Sequence, residues 1–223
     1  MEKIPNDQPL ERRYFHTSEL RAIYDQKPRL IGHAAVFNQL SDDLGGFREQ
    51  IAPGAFAETI KTADIRALWN HDPNFVLGRT KSRTLALEED HVGLKIETHP
   101  PDTQFARDLM KSIDRGDVDQ MSIGFRVMPQ GDEWKMEDGG LIRTLRNLAL
   151  YDVSPVTFPA YPQTDVSIRA RAEEMRSKLG IISKPPEPSE EEIKARLERR
   201  RKLIERIEEL IAKRRFEYVV EHR

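Results

Sequence analysis

The sequence contains no cysteine among its 223 residues. Disulfide bridges, thiolate zinc sites and a cysteine nucleophile are therefore excluded. No apolar run approaches the roughly 20 residues that a membrane-spanning helix needs. The polar residues 1–5 also lack the apolar core of a signal peptide. We therefore expect a protein that is made and kept in a cytoplasm.

Neither sign of charge is in clear excess. The chain has 36 Lys and Arg against 38 Asp and Glu, a net charge of -2, which favours neither nucleic acid nor a membrane surface as a partner. Charged residues make up 33% of the chain and hydrophobic residues 38%, which is polar for a compact domain. The length fits one or two domains, and the composition indicates that part of the chain is solvated helix or tail.

Short segments with the character of β-strands, bounded by Asp, Pro or Gly, dominate the middle of the chain. We predict strands over residues 31–37, 65–69, 76–79, 84–88, 94–98 and 141–156, with a Gly-rich hairpin or loop over 131–140. A short helix is expected over 55–61. A better one follows Pro100, where Phe105, Ala106, Leu109, Met110 and Ile113 recur at helical spacing and Gly116 stands at the C-cap position.

The composition changes after Ile168. We predict a helical piece over 170–179, a stiff Pro-rich linker over 183–188, and an amphipathic helix that opens with the capping-box residues Ser189 and Glu192. That helix either docks on a partner or a copy of itself, or is solvated without specific contacts. The predicted organisation is a flexible arm (1–13), a main domain (14–169), a short helix and Pro-rich linker (170–188) and a charged amphipathic helical tail (189–223).

The stretch from Gln120 to Val127 alternates as a β-strand does. Its apolar side chains share one face, and Ser122, Gly124 and Arg126 share the other. Because Gly124 has no side chain, another group can come close to the Ser122 hydroxyl. The alternative is an ordinary small polar residue on an edge strand.

Two other stretches supply groups that activate a serine. His71 ends an apolar run that begins at Leu68, and Asp152 lies in the apolar run from Leu148 to Val153. Histidine accepts a proton near neutral pH, and a carboxylate fixes its tautomer. By alternation Asp152 continues the face of Leu148, which points into the core, where a carboxylate needs a partner. A base, a nucleophile and an orienting acid are therefore all available.

Each assignment has a rival. His71 also fits a surface histidine beside Asp72, and His91 is a second candidate for the third position, although it lies in a predicted exposed hairpin turn. Asp152 also fits a structural ion pair with one of three arginines, which are Arg126, Arg143 and Arg146.

A metal site is a further alternative. It would draw on His71, Asp72, His91 and His99, but no pair of these has the helical i, i+4 spacing of a zinc helix. Gly45-Gly46 and Gly139-Gly140 do not match a phosphate loop, since neither is followed by Lys and Ser or Thr.

Other motifs accompany these residues in a fixed order. They are Ile31-Gly32-His33-Ala34, Gly45-Gly46-Phe47-Arg48-Glu49, Pro53-Gly54-Ala55-Phe56, Leu68-Trp69-Asn70-His71-Asp72, Leu77-Gly78-Arg79-Thr80, Arg115-Gly116, Met121-Ser122-Ile123-Gly124-Phe125 and the run from Asp152 to Pro162. The succession closely resembles the prohead maturation proteases of tailed bacteriophages, clan relatives of herpesvirus assemblin. The resemblance covers about Arg12 to Arg169, roughly three quarters of the chain. Each motif alone is weak evidence for the resemblance, whereas the order of the motifs is specific to this family.

The resemblance implies an α+β fold, a mostly antiparallel closed β-barrel surrounded by a few helices, to which the charged C-terminal helix is added. It implies His71 as the base, Ser122 as the nucleophile and Asp152 at the third position, where many relatives are expected to carry the longer Glu. By analogy with assemblin, the oxyanion donors are expected from the loop after the third triad member. The predicted oxyanion or substrate-cleft residues are Gly124, Thr157, Phe158 and Ala160.

The implied function is a serine endopeptidase without a cofactor, working inside the immature prohead in the host bacterial cytoplasm. Its implied partners are scaffold protein or the major capsid protein with its scaffolding region, and the protease itself, with self-cleavage expected near residues 179–188. Association with copies of itself is left open. The alternatives are a noncatalytic capsid assembly factor and a metal-assisted hydrolase.

Overall fold

β-Strands dominate the computed structural model, which describes residues 9–16, 20–137, 139–158 and 166–180. The strands are β1 (Glu11–His16), β2 (Arg21–Ile23), β3 (Arg29–Val36), β4 (Phe47–Ile51), β5 (Arg66–Trp69), β6 (Asp72–Arg79), β7 (Leu85–Glu89), β8 (Gly93–Thr98), β9 (Gln120–Val127), β10 (Asp132–Glu137), β11 (Gly140–Leu145) and β12 (Leu148–Val156). The described helices are α1 (Thr59–Thr62), α2 (Gln104–Asp114) and α3 (Val166–Lys178).

The strands form three sheets. Their orders are β1-β9-β12-β5-β6, β2-β3-β8-β7 and β10-β11-β4. Most neighbouring strands are antiparallel, whereas β12 with β5 and β11 with β4 are parallel. The five-stranded sheet contains the strand of Ser122 and the strand of Asp152 side by side.

The prediction of a closed β-barrel is wrong. Within the described residues all three sheets are open, with β1 and β6, β2 and β7, and β10 and β4 at their edges. A barrel requires each strand to pair on both sides with a consistent stagger. Alternation along a strand sets which face is buried and carries no information about which strands become neighbours, so the sequence pattern did not distinguish open sheets from a barrel. The charged C-terminal helix predicted for residues 189–223 lies outside the described residues.

The predicted faces of the serine strand are confirmed. Met121, Ile123, Phe125 and Val127 of β9 are all buried in the main core. The strand is not at an edge, because β1 pairs with it on one side and β12 on the other. Ser122 therefore lies on a strand that is hydrogen-bonded to a neighbour along both of its edges and packed against the core on one face.

The helix predicted after Pro100 is also confirmed. In α2 the buried side chains are Ala106, Leu109, Met110 and Ile113, and Gly116 has a φ of 78° just beyond the helix, as a glycine at a helix end often does. These side chains join residues of the five-stranded and four-stranded sheets in one apolar core. By contrast, the helix predicted over residues 55–61 is reduced to the single turn of α1.

A buried ionic network holds β1 in place. The Arg143 side chain is 1% exposed, and its guanidinium contacts Glu11 of β1 and Glu49 of β4 at 2.9 Å and Asp132 of β10 at 2.8 Å. Arg13 of β1 also contacts Glu49, at 2.7 Å. Burial alone would lower the pKa of Arg143, but the charges of Glu49 and Glu11 raise the pKa above its ordinary value. The network fixes the strand that flanks the serine strand.

Two elements lie across the predicted domain boundaries. β1 begins at Glu11, inside the arm predicted for residues 1–13. α3 spans the boundary predicted at residue 170, and its Ile168 and Ala172 pack in a second apolar cluster with the three-stranded sheet. The boundaries themselves stay predictions. None of the described helices combines the length and apolar character needed to cross a membrane.

Candidate active site

His71 lies in the two-residue turn between β5 and β6, where Trp69 pairs with Asp72. Asn70 and His71 have φ angles of 54° and 58°, and positive φ at both central residues is what a type I′ hairpin turn requires. Asn and His tolerate this left-handed conformation better than most residues do. The local sequence therefore suits the turn and places the imidazole at the tip of the hairpin.

Asn70 ties this turn to the end of β12. Its backbone N–H donates to the Pro155 carbonyl at 3.0 Å. Its side chain accepts a hydrogen bond from the Thr157 N–H at 2.9 Å and donates to the Thr157 Oγ1 at 3.3 Å. The hairpin tip is thus held against the strand that carries Asp152.

The His71 imidazole lies between a carboxylate and a hydroxyl. Its Nδ1 is 2.5 Å from Asp152 Oδ1, and its Nε2 is 2.6 Å from Ser122 Oγ. Because an ionised carboxylate only accepts hydrogen bonds, Nδ1 donates to Asp152, and Nε2 of the neutral ring accepts from Ser122. The His71 side chain is 5% exposed and Ser122 is 1% exposed, so the pair of contacts is shielded from water. This arrangement can move the hydroxyl proton to the imidazole.

A β-bulge puts Asp152 on the face of the sheet that carries Ser122. Leu150 pairs with Phe125 and Asp152 pairs with Gly124, so Tyr151 is an extra residue in β12. The interpretation that Asp152 continues the face of Leu148 and Leu150 is therefore wrong. A bulge adds one residue and reverses which face the following side chains occupy, and strict alternation cannot anticipate it.

The Asp152 carboxylate rests between two small residues. A Cβ atom on Gly124 would lie 2.2 Å from Asp152 Oδ2, so the carboxylate fills the space that glycine leaves. Ser154 Oγ donates to Asp152 Oδ1 at 2.7 Å. The sequence interpretation missed Asn70 and Ser154. For Ser154 the available signal was its place two residues after Asp152, on the same face of the strand.

The residues named above as alternatives to the Ser122, His71 and Asp152 assignments have other surroundings in the described part of the chain. Arg146 contacts Glu133, Arg126 donates to the Tyr151 hydroxyl at 3.3 Å, and Arg143 belongs to the buried network. Asp72 accepts from Asn74. His91 is exposed in the turn between β7 and β8.

The described residues hold no group of three or more His, Cys, Asp or Glu side chains placed to bind one metal ion. The metal alternative drew on His71, Asp72, His91 and His99. Of these, His71 contacts Ser122 and Asp152.

The predicted oxyanion or cleft residues have varied surroundings. The open side of Gly124 faces the Asp152 carboxylate, and the Thr157 N–H donates to Asn70. Phe158 is 81% exposed, next in sequence to the residue that holds the His71 turn. Ala160 lies outside the described residues. The oxyanion assignment stays a prediction.

Comparison with protein-family models identifies a match over most of the chain. The family model for the caudovirus prohead serine protease matches residues 16–178. Among solved structures, the chain is similar to the bacteriophage T4 capsid assembly protease, gp21, with 8% sequence identity and a TM-score of 0.43 over 68% of this chain and 99% of that one. No curated protein matches the sequence.

Proposed function

The chain belongs to the caudovirus prohead serine proteases, a membership that makes it a protease of phage capsid maturation, and we propose that it cleaves peptide bonds with Ser122 as its nucleophile. The observation that supports this most is the position of the His71 imidazole, 2.6 Å from the Ser122 hydroxyl and 2.5 Å from the Asp152 carboxylate. In this assignment His71 is the general base and Asp152 the orienting acid.

The first half of the proposed reaction forms an acyl-enzyme. Ser122 Oγ attacks the scissile carbonyl carbon while His71 Nε2 takes the hydroxyl proton, and Asp152 stabilises the imidazolium that results. The tetrahedral intermediate then collapses. The C–N bond breaks, and His71 gives the proton to the leaving amine.

The second half releases the new carboxyl end. A water attacks the acyl carbon, His71 takes one of its protons, and the Ser122 oxygen leaves with that proton from His71. Both tetrahedral intermediates need hydrogen-bond donors for their oxyanion, each worth about 3 kcal/mol. We assign these donors to the backbone N–H groups of Phe158 and Ala160, because the Thr157 N–H donates to Asn70 and Pro159 has no N–H. We assign substrate contact to the exposed Phe158 side chain.

The proposed substrates are scaffold protein or the scaffolding region of the major capsid protein, and the protease itself. The proposed place of action is the interior of the immature prohead in the host cytoplasm. Confinement in a closed shell raises the effective concentration of enzyme and substrate, so an enzyme with weak sequence preference can still complete its work there.

Co-expression with the cognate capsid and scaffold proteins tests this proposal. We expect shortened capsid or scaffold bands with the wild-type chain and with the control Ser82→Ala, whose serine is exposed, and only full-length bands with Ser122→Ala. Cleavage that persists in Ser122→Ala would rule out Ser122 as the nucleophile. Normal capsid maturation without any cleavage would favour the noncatalytic assembly factor instead.

A further inference from the structure

Four residues of two neighbouring strands form a compact group on the serine side of the sheet. Ser122 pairs with Ser154, and Gly124 pairs with Asp152, across β9 and β12. Side chains directly opposite each other on antiparallel strands share a face, about 5 Å apart at their Cβ atoms. Ser154 therefore lies beside the nucleophile in the sheet while its hydroxyl turns along its own strand to Asp152.

The two oxygens of Asp152 have different surroundings. Oδ1 receives two hydrogen bonds, from His71 Nδ1 at 2.5 Å and from Ser154 Oγ at 2.7 Å. Oδ2 lies over Gly124, in the space that a Cβ atom would fill. Ser154 thus contacts the same oxygen that holds the imidazole, and the two donors together define the orientation of the carboxylate.

The direction of the Ser154 hydrogen bond follows from its chemistry. A hydroxyl both donates and accepts, but an ionised carboxylate only accepts, so the hydroxyl proton points at Asp152. Ser154 is fully buried, so bulk water does not compete for this hydrogen bond. Hydrogen bonds to a charged acceptor are stronger than neutral ones.

We propose that Ser154 is a positioning residue of the protease, whose hydroxyl fixes the Asp152 carboxylate so that His71 keeps Nδ1 protonated and Nε2 open to the Ser122 proton. Without this hydroxyl the carboxylate rotates away from the imidazole, and His71 divides between its two tautomers. In this role Ser154 acts through Asp152, the residue to which its hydroxyl donates. The proposal rests on the catalytic roles proposed above for Ser122, His71 and Asp152.

The kinetic test compares wild type, Ser154→Ala and Ser154→Cys. The substrate is a capsid or scaffold peptide that the wild-type protein cleaves. We expect kcat to fall about 10- to 100-fold in Ser154→Ala, the loss of one hydrogen bond to a charged group, with KM unchanged. Ser154→Cys, which has a similar shape and a weaker donor, should lose less. A kcat within twofold of wild type in either folded variant would overturn the proposal.

The spectroscopic test needs no proteolysis. In chains labelled with ¹⁵N-histidine, the ring nitrogen shifts of His71 report its tautomer, and His71→Asn identifies its signals among the six histidines. We expect one tautomer, protonated at Nδ1, in the wild type and a mixture in Ser154→Ala and Ser154→Cys. An unchanged tautomer in both variants contradicts the proposal.

The two tests separate this proposal from the proposed function. A tautomer change in a chain that cleaves nothing supports the role of Ser154 on His71 and contradicts the protease assignment. Full kcat with an unchanged tautomer in an active protease contradicts only the role of Ser154. If Ser154→Ala fails to fold, Ser154→Cys carries both measurements.

Discussion

Asp152 occupies the space that a side chain at position 124 would fill. The two residues pair across β9 and β12, and a Cβ atom on Gly124 would lie 2.2 Å from Asp152 Oδ2. The glycine of the Ser122-Ile123-Gly124 motif thus makes room for the acid of the candidate site. In this space the Asp152 carboxylate lies 2.5 Å from His71 Nδ1, although aspartate is shorter than the glutamate expected in many relatives.

Gly124→Ala tests this relationship. The added methyl displaces the carboxylate, and we expect kcat/KM to fall by about 100-fold or more, since disturbing the orienting acid costs Ser-His-Asp proteases up to about 10⁴-fold. Gly140→Ala is the matched control, because its added Cβ would meet only the Glu137 carbonyl at 3.8 Å. Steady-state kinetics, with a peptide that the wild-type protein cleaves, measures kcat/KM for both variants. Full activity in folded Gly124→Ala would show that Asp152 does not need this space.

Asn70→Gly tests the attachment of the His71 turn. Glycine keeps the left-handed backbone that Asn70 adopts but removes both side-chain contacts with Thr157. We expect kcat to fall about 10- to 100-fold because the imidazole is less well placed. Asn70→Ala should lose similar activity and about 1 kcal/mol more stability, the cost of an alanine in this conformation. Equal kcat for Asn70→Gly and wild type would contradict the positioning of His71 by Asn70.

Arg143→Met tests the buried ionic network. The change leaves the carboxylates of Glu11, Glu49 and Asp132 without their shared cation, and breaking a buried pair in this way costs about 3–5 kcal/mol. The control Arg107→Met removes an exposed contact with Asp102 and should change stability by less than about 1 kcal/mol. Denaturant unfolding measures both. Similar unfolding free energies for the two variants would show that the network does not stabilise the fold.

The pH dependence of stability is tested at Asp64. Hydrogen bonding with Arg79 lowers the pKa of Asp64 from 3.8 to about 2. Because the folded pKa is depressed, the carboxylate stabilises the fold above its unfolded pKa, and this contribution disappears as pH falls through the folded value. Asp64→Asn should therefore be less stable than wild type near neutrality, and the difference should vanish below about pH 2. A difference independent of pH would show that the Asp64 charge does not contribute.

The sequence predicted the serine strand because its faces depend only on alternation. Met121, Ile123 and Phe125 are buried as that pattern requires, and the order of the motifs led to His71, Ser122 and Asp152, which the structure brings together. The face of Asp152 was not predictable in this way, because the bulge at Tyr151 reverses the alternation. Ser154 and Asn70 acquire their contacts only through tertiary pairing, which no local pattern encodes. Whether a sheet closes into a barrel is unpredictable for the same reason, since closure depends on which strand edges meet.

The central claim is that Ser122 is the nucleophile that His71 activates. A peptidyl phosphonate directed at serine proteases, followed by mass spectrometry of the digested protein, tests it most directly. We predict a single covalent adduct on Ser122 in the wild-type chain and none in either Ser122→Ala or His71→Gln, while the control Ser82→Ala is labelled as wild type is. An adduct on a different residue, or equal labelling of Ser122 in His71→Gln, would contradict the account.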